Sequence, residues 1–135
     1  MGKATEQHHG SCLCGAVQFT VNGPLGAGDM CHCQQCRLWT GHVYASTEVK
    51  RKFLTFQKKE SLKWFESSGK VRRGFCADCG SPMFFDPLDQ HQHNWIGIAL
   101  GSFTEATGVD IERHIFTAEK GDYYIIADGA PQHDH

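Results

Sequence analysis

At 135 residues the chain has room for one domain with a modest core, and no apolar run approaches the roughly 20 residues a membrane helix needs. A formal charge of −2 gives no general attraction to nucleic acid or to an anionic membrane surface. The first residues, MGKATEQHHG, carry no apolar h-region or cleavage site, so a cytoplasmic protein is expected.

In chain order the signals are those of strands. Val17, Phe19 and Val21 alternate with polar residues between Gly15 and the turn Asn22-Gly23-Pro24. Gln34 to Trp39 is the one stretch that suits a short helix, ended by Gly41. Val43 to Val49 and Phe53 to Phe56 are predicted strands, joined at Lys50-Arg51-Lys52. Leu62 and Trp64 alternate with lysine, Ser67-Ser68-Gly69 turns the chain, and Val71, Arg73 and Phe75 continue on one face. Met83 to Phe85 is a short strand ending at Asp86-Pro87. From Asn94 to Leu100, Ile96 and Ile98 share a face while Gly97 and Ala99 leave the other open to close approach. Ile111, Arg113 and Ile115 form another alternating set, Tyr123 to Ile126 is predicted as the last strand, and Ala130 to His135 reads as a disordered tail. The fold class is mainly β, a sheet sandwich or open barrel. No linker or repeat divides it, so a single domain over 10–131 is expected, with tails at 1–9 and 132–135.

Nine of the 13 Lys and Arg residues fall between Lys50 and Arg73. This is the solvated face of strands or a patch for an anionic ligand.

Seven cysteines are an odd number, and a disulfide framework would leave one over. Their grouping points to metal. Cys12-Leu13-Cys14-Gly15 and Cys76-Ala77-Asp78-Cys79-Gly80 each place two thiols in a tight turn followed by glycine, which supplies the positive φ such turns need. Two chelating turns make a four-thiolate zinc site. Cys31-His32-Cys33-Gln34-Gln35-Cys36 packs three more thiols into a short segment, with no cysteine left to complete a tetrahedron. Three protein ligands and an open position are the pattern of catalytic zinc. Three thiolates make that metal a poor activator of water but a good partner for a nucleophilic thiolate, which favours sulfur chemistry. A histidine could instead complete the site, with His32, His42, His114 and the pairs His8/His9 and His91/His93 as candidates; His133 and His135 read as tail residues. His114 is a candidate proton carrier, Arg37 a candidate partner for a substrate carboxylate, and Trp39 a candidate pocket wall.

The order CxCG, CHCxxC followed by arginine and Thr-Gly, then CxxCGS resembles the glutathione-dependent formaldehyde-activating enzyme family, which also includes centromere protein V. The matching segments are Cys12–Gly15, Cys31–Gly41 and Cys76–Ser81, with Ile98 to Phe103, His114-Ile115 and Asp128 to Pro131 following in order. The resemblance implies a β-tent fold, two zinc ions per chain and a carbon–sulfur lyase activity. It assigns Cys12, Cys14, Cys76 and Cys79 to a structural zinc and Cys31, Cys33 and Cys36 to a catalytic one. The implied reactants are glutathione, or a similar small thiol, and formaldehyde. Membrane and nucleic-acid partners are not expected, and an exposed strand edge would allow a homodimer. The alternative reading is a non-catalytic zinc module that binds a protein partner through Lys50–Arg73.

Overall fold

The computed structural model describes residues 6–135. The first five residues of the expected N-terminal tail lie outside the described residues. Ten strands are formed: β1 (His8–Ser11), β2 (Gln18–Val21), β3 (Gly28–Cys31), β4 (Tyr44–Lys50), β5 (Leu54–Lys58), β6 (Leu62–Glu66), β7 (Val71–Cys76), β8 (Pro82–Pro87), β9 (Trp95–Ala99) and β10 (Ile111–Ile115). Among the described residues one α-helix, α1, spans Gln34–Thr40 and closes on Gly41, whose N–H reaches Arg37 O. No helix among the described residues is long and apolar enough to cross a membrane.

Two open sheets result, in keeping with the mainly β sandwich or open-barrel expectation. The smaller has the order β1-β2-β5 and the larger β10-β3-β4-β9-β8-β7-β6. Pairing is antiparallel throughout except for β10 on β3. The core lies between the sheets, where Val17, Phe19 and Val21 meet Val49, Phe84, Ile96 and Ile98. Phe19 and Phe103 both stand edge-on to neighbouring rings in this layer, and Phe84 gathers Phe19, Phe56 and Trp64 around it. Each fully buried side chain of this size contributes about 1.5–3 kcal/mol.

The opposite face of the large sheet carries α1 and the three-thiolate segment. Ile96 and Ile98 take the core side, which leaves Gly97 on the other. A Cβ there would sit 3.2 Å from Phe85 Cβ, so glycine lets Phe85 lie close to the sheet and face α1.

Three expectations are corrected. Tyr123 to Ile126 is not a strand: Tyr123 and Ile125 are exposed, and the segment is held by side chains rather than by a ladder. The C-terminal residues are not a loose tail, because Pro131 O accepts the His114 N–H (2.8 Å), and His133 N–H donates to His114 O (2.9 Å). At the other end β1 begins at His8, ahead of Gly10. The basic segment is also less of a patch than its sequence suggests. Arg51 and Arg72 converge on buried Asp86 (2.5 and 2.7 Å), and Arg73 is buried.

Candidate metal centres and the thiolate cavity

The first cysteine group joins two turns 62 residues apart in sequence, with Cys12 Sγ 3.7 Å from Cys14 Sγ and Cys14 Sγ 3.8 Å from Cys76 Sγ. A zinc tetrahedron with Zn–S of about 2.3 Å places its sulfurs about 3.8 Å apart. The four Sγ atoms of Cys12, Cys14, Cys76 and Cys79 all lie within 4.8 Å of one another. Gly15 and Gly80 both adopt φ of 83° after the second cysteine of each turn, as expected. Ser81 braces the two turns together. Its hydroxyl accepts the Leu13 N–H at 3.0 Å and lies 3.2 Å from Cys79 Sγ. That hydroxyl, with the Ser81 backbone, pulls the Cys79 thiol down to about 5. The Val17 N–H donates to Cys12 Sγ at 3.3 Å. These are features of a pre-formed thiolate site.

The second group is Cys31, Cys33 and Cys36, again with all Sγ atoms within 4.8 Å. β3 delivers Cys31, the first turn of α1 delivers Cys36, and Cys33 sits between them as the helix N-cap, its sulfur accepting the Cys36 N–H at 3.3 Å. With no cation, three adjoining thiols cannot all ionise. Cys33, hydrogen-bonded by Cys31 and Cys36, drops to about 2, while its neighbours' sulfurs push Cys31 far up. A divalent cation among the sulfurs removes this conflict, so the donor set fits a soft, thiophilic metal.

Among the described residues no histidine joins either group. His32 points away from the sulfurs. Its Nδ1 meets the Tyr124 hydroxyl, and its Nε2 lies 2.8 Å from His114 Nδ1. His114 Nε2 is 2.9 Å from Asp128. The carboxylate can only accept, so the chain of donors runs Tyr124 to His32 to His114 to Asp128. Burial holds the His32 imidazole below its usual value, in keeping with a neutral ring in this chain. His42 bonds the Tyr123 hydroxyl at 2.7 Å, and His9 pairs with Glu105 at 2.9 Å.

A cavity of about 400 Å³ opens onto the three sulfurs, lined further by Gln34, Gln35, Ser68, Val71, Arg73, Phe85, Ile115, Phe116 and Glu119. The parallel register pairs Ile115 with Cys31 and His114 with Met30, so Ile115 faces this cavity while His114 faces a separate one shared with His32, Tyr124 and Asp128. Arg37 does not line the thiolate cavity, and its Nε is buried with no hydrogen-bond partner among the described residues. Trp39 lies in an adjoining cavity of about 300 Å³ with Leu38, Phe65 and Ser67. Sequence reasoning missed Arg73 and Glu119. Arg73 had a visible signal, a charged residue at an inward position of an alternating strand. Glu119 had none.

Set against known proteins, the glutathione-dependent formaldehyde-activating enzyme family matches residues 7–119. The chain belongs to this family. Its matched span contains both cysteine groups and the cavity wall through Glu119. A relative in Schizosaccharomyces pombe, described as an uncharacterized lyase, is 27% identical over 121 residues, covering 90% of this chain and 86% of its own. A crystal structure of a Rhodobacter sphaeroides protein shares the fold, with a TM-score of 0.56 at 17% identity over 92% of this chain and 98% of that one.

Proposed function

We propose that this family member is a zinc-dependent carbon–sulfur lyase acting on thiol–aldehyde adducts, of the kind formed from glutathione and formaldehyde. The observation that carries the reading is the cavity that opens onto the sulfurs of Cys31, Cys33 and Cys36. In this reading Cys12, Cys14, Cys76 and Cys79 hold a second, structural zinc. Zinc at the three-thiolate site would supply an electron-rich centre that keeps a substrate thiol deprotonated and nucleophilic.

The chain's own residues then have defined tasks. Phe85, Ile115 and Phe116 make the apolar wall that keeps water from the reacting carbon. Phe116 adopts a left-handed backbone with φ of 55°, rare for a bulky residue, and this places it at the cavity. In adduct formation the substrate sulfur attacks the aldehyde carbon. The S–C bond forms, the carbonyl π pair moves to oxygen, and that oxygen takes up the proton the thiol gave up. The lyase direction reverses each step. Glu119, fixed by accepting the Gln34 N–H at 2.9 Å, is the acidic side chain on the wall and is assigned the proton transfer. His114 is assigned a positioning role, since it acts on the site through His32, between two of the cysteines. Arg37 receives no part in the reaction.

The test is an exchange assay in which purified protein is mixed with glutathione and formaldehyde, and adduct formation is compared with the uncatalysed rate, then repeated with other thiols. Acceleration with at least one thiol is expected; none with any would remove the lyase reading. Glu119→Gln is expected to lower kcat about 100-fold with two metals still bound by native mass spectrometry. An unchanged kcat would move the proton transfer elsewhere. The alternative, a protein-binding module using Lys50–Arg73, has less support because Arg51, Arg72 and Arg73 turn inward.

A further inference from the structure

Arg73 is 4% exposed, yet no carboxylate lies within ion-pair distance of it among the described residues. A buried guanidinium without a counter-charge is strongly disfavoured. Its three kinds of nitrogen each have a partner. Nη1 donates to Cys36 Sγ at 3.5 Å, Nη2 to Gln35 Oε1 at 3.3 Å, and Nε to Ser67 Oγ at 3.1 Å. The rings of Trp39 and Phe85 flank it, with centroids 5.0 and 5.2 Å from Cζ. Amide, hydroxyl and ring faces can solvate a cation but cannot neutralise it. Among the described residues the one centre of negative charge it touches is the cysteine group, through Cys36.

We infer that Arg73 is the charge partner of the three-thiolate site, held against Cys36 so that its guanidinium offsets the excess negative charge of the cysteines and sets how tightly they hold their metal. Three thiolates and one divalent cation sum to −1, and Arg73 brings the buried assembly to neutrality. The contact also draws electron density from the Cys36 sulfur, which makes the site less electron-rich than its cysteines alone imply. α1 and β7 are brought into mutual register by the same group, because Gln35 and Cys36 lie on the helix and Arg73 on the strand. This inference rests on the reading that Cys31, Cys33 and Cys36 hold a metal, and Arg73 is a positioning residue within it.

The test compares wild-type protein with Arg73→Met and Arg73→Gln in chelator competition followed by native mass spectrometry, and in the cobalt(II)-substituted protein by absorption. Methionine fills much of the same space without charge, and the four-thiolate site is an internal check on folding. Arg73→Met is expected to weaken the three-thiolate site at least about tenfold, the worth of one charge-assisted hydrogen bond, while the second metal stays bound. The sulfur-to-cobalt charge-transfer band of the weakened site should move to longer wavelength, because a sulfur relieved of its donor gives up electrons more easily. Side-chain packing alone would not shift that band. If Arg73→Met loses both metals through misfolding, Arg73→Gln decides: it keeps a hydrogen-bond donor but not the charge, and a weakened three-thiolate site with a shifted band supports the pairing. Wild-type affinity and band in Arg73→Met, or in Arg73→Gln where methionine does not fold, would overturn the inference. A wild-type protein holding a single metal would instead remove the functional reading beneath it.

Discussion

Cys76→Ser is expected to abolish the cooperative thermal transition at room temperature and above, with no metal retained at the four-thiolate site. Cys76 is fully buried and belongs to the core cluster that holds Phe19, Met83 and Ile98. Its sulfur joins a turn at the start of the chain to one 62 residues later, so the metal would fasten the small sheet to the turn between β7 and β8 of the large sheet. Structural zinc contributes on the order of 10 kcal/mol or more to folding in small domains. The whole stability of a domain this size is about 5–15 kcal/mol, so losing that contribution removes most or all of it. Serine also leaves a hydroxyl among apolar side chains. A melting curve and a native mass spectrum check this, and a variant that melts like wild type would mean the four cysteines are not a folding element.

How much of this was legible in the sequence depends on the range of the interaction. β2 and β4–β10 announce themselves because β-favouring residues recur at alternate positions, with an arginine inside the set in β7 and β10, a local pattern. β1 and β3 do not. His8-His9-Gly10-Ser11 has no apolar alternation, and Gly28-Asp29-Met30-Cys31 has one apolar residue; both become strands because neighbours on the sheet supply their hydrogen bonds. The reverse holds for Tyr123 to Ile126, where an apolar run pairs with no strand and Tyr124 turns to His32 instead. The cysteine groups were readable because chelation by short turns is a matter of spacing. The partner of Cys36 was not, since Arg73 reaches it across 37 residues through the packing of α1 on β7. His114 lies on the strand as expected, but the parallel pairing of β10 with β3 turns it away from the cavity, and no property of the residues nearby in sequence sets that register.

Cys33→Ser should separate the two metal centres. Its three ligands lie within Cys31–Cys36, so a metal there closes only a short loop and restrains little of the chain. The substitution also keeps the other task of this position. Cys33 caps α1 by accepting the Cys36 N–H, and serine is among the best residues for that purpose. A neutral hydroxyl, however, is a poor zinc ligand beside two thiolates. The expected result is loss of one metal of two, a melting temperature within about 5 °C of wild type, and a thiol–aldehyde exchange rate fallen to the uncatalysed background. The contrast with Cys76→Ser is the informative part. Both variants replace one sulfur by oxygen, so a stability difference larger than the roughly 1–3 kcal/mol cost of burying an unpaired hydroxyl at position 76 measures what each metal does for the chain. If Cys33→Ser unfolds the protein as Cys76→Ser does, both metals are structural and the cavity has no reacting centre. If it keeps its fold and its full rate, the chemistry lies outside the three-thiolate site.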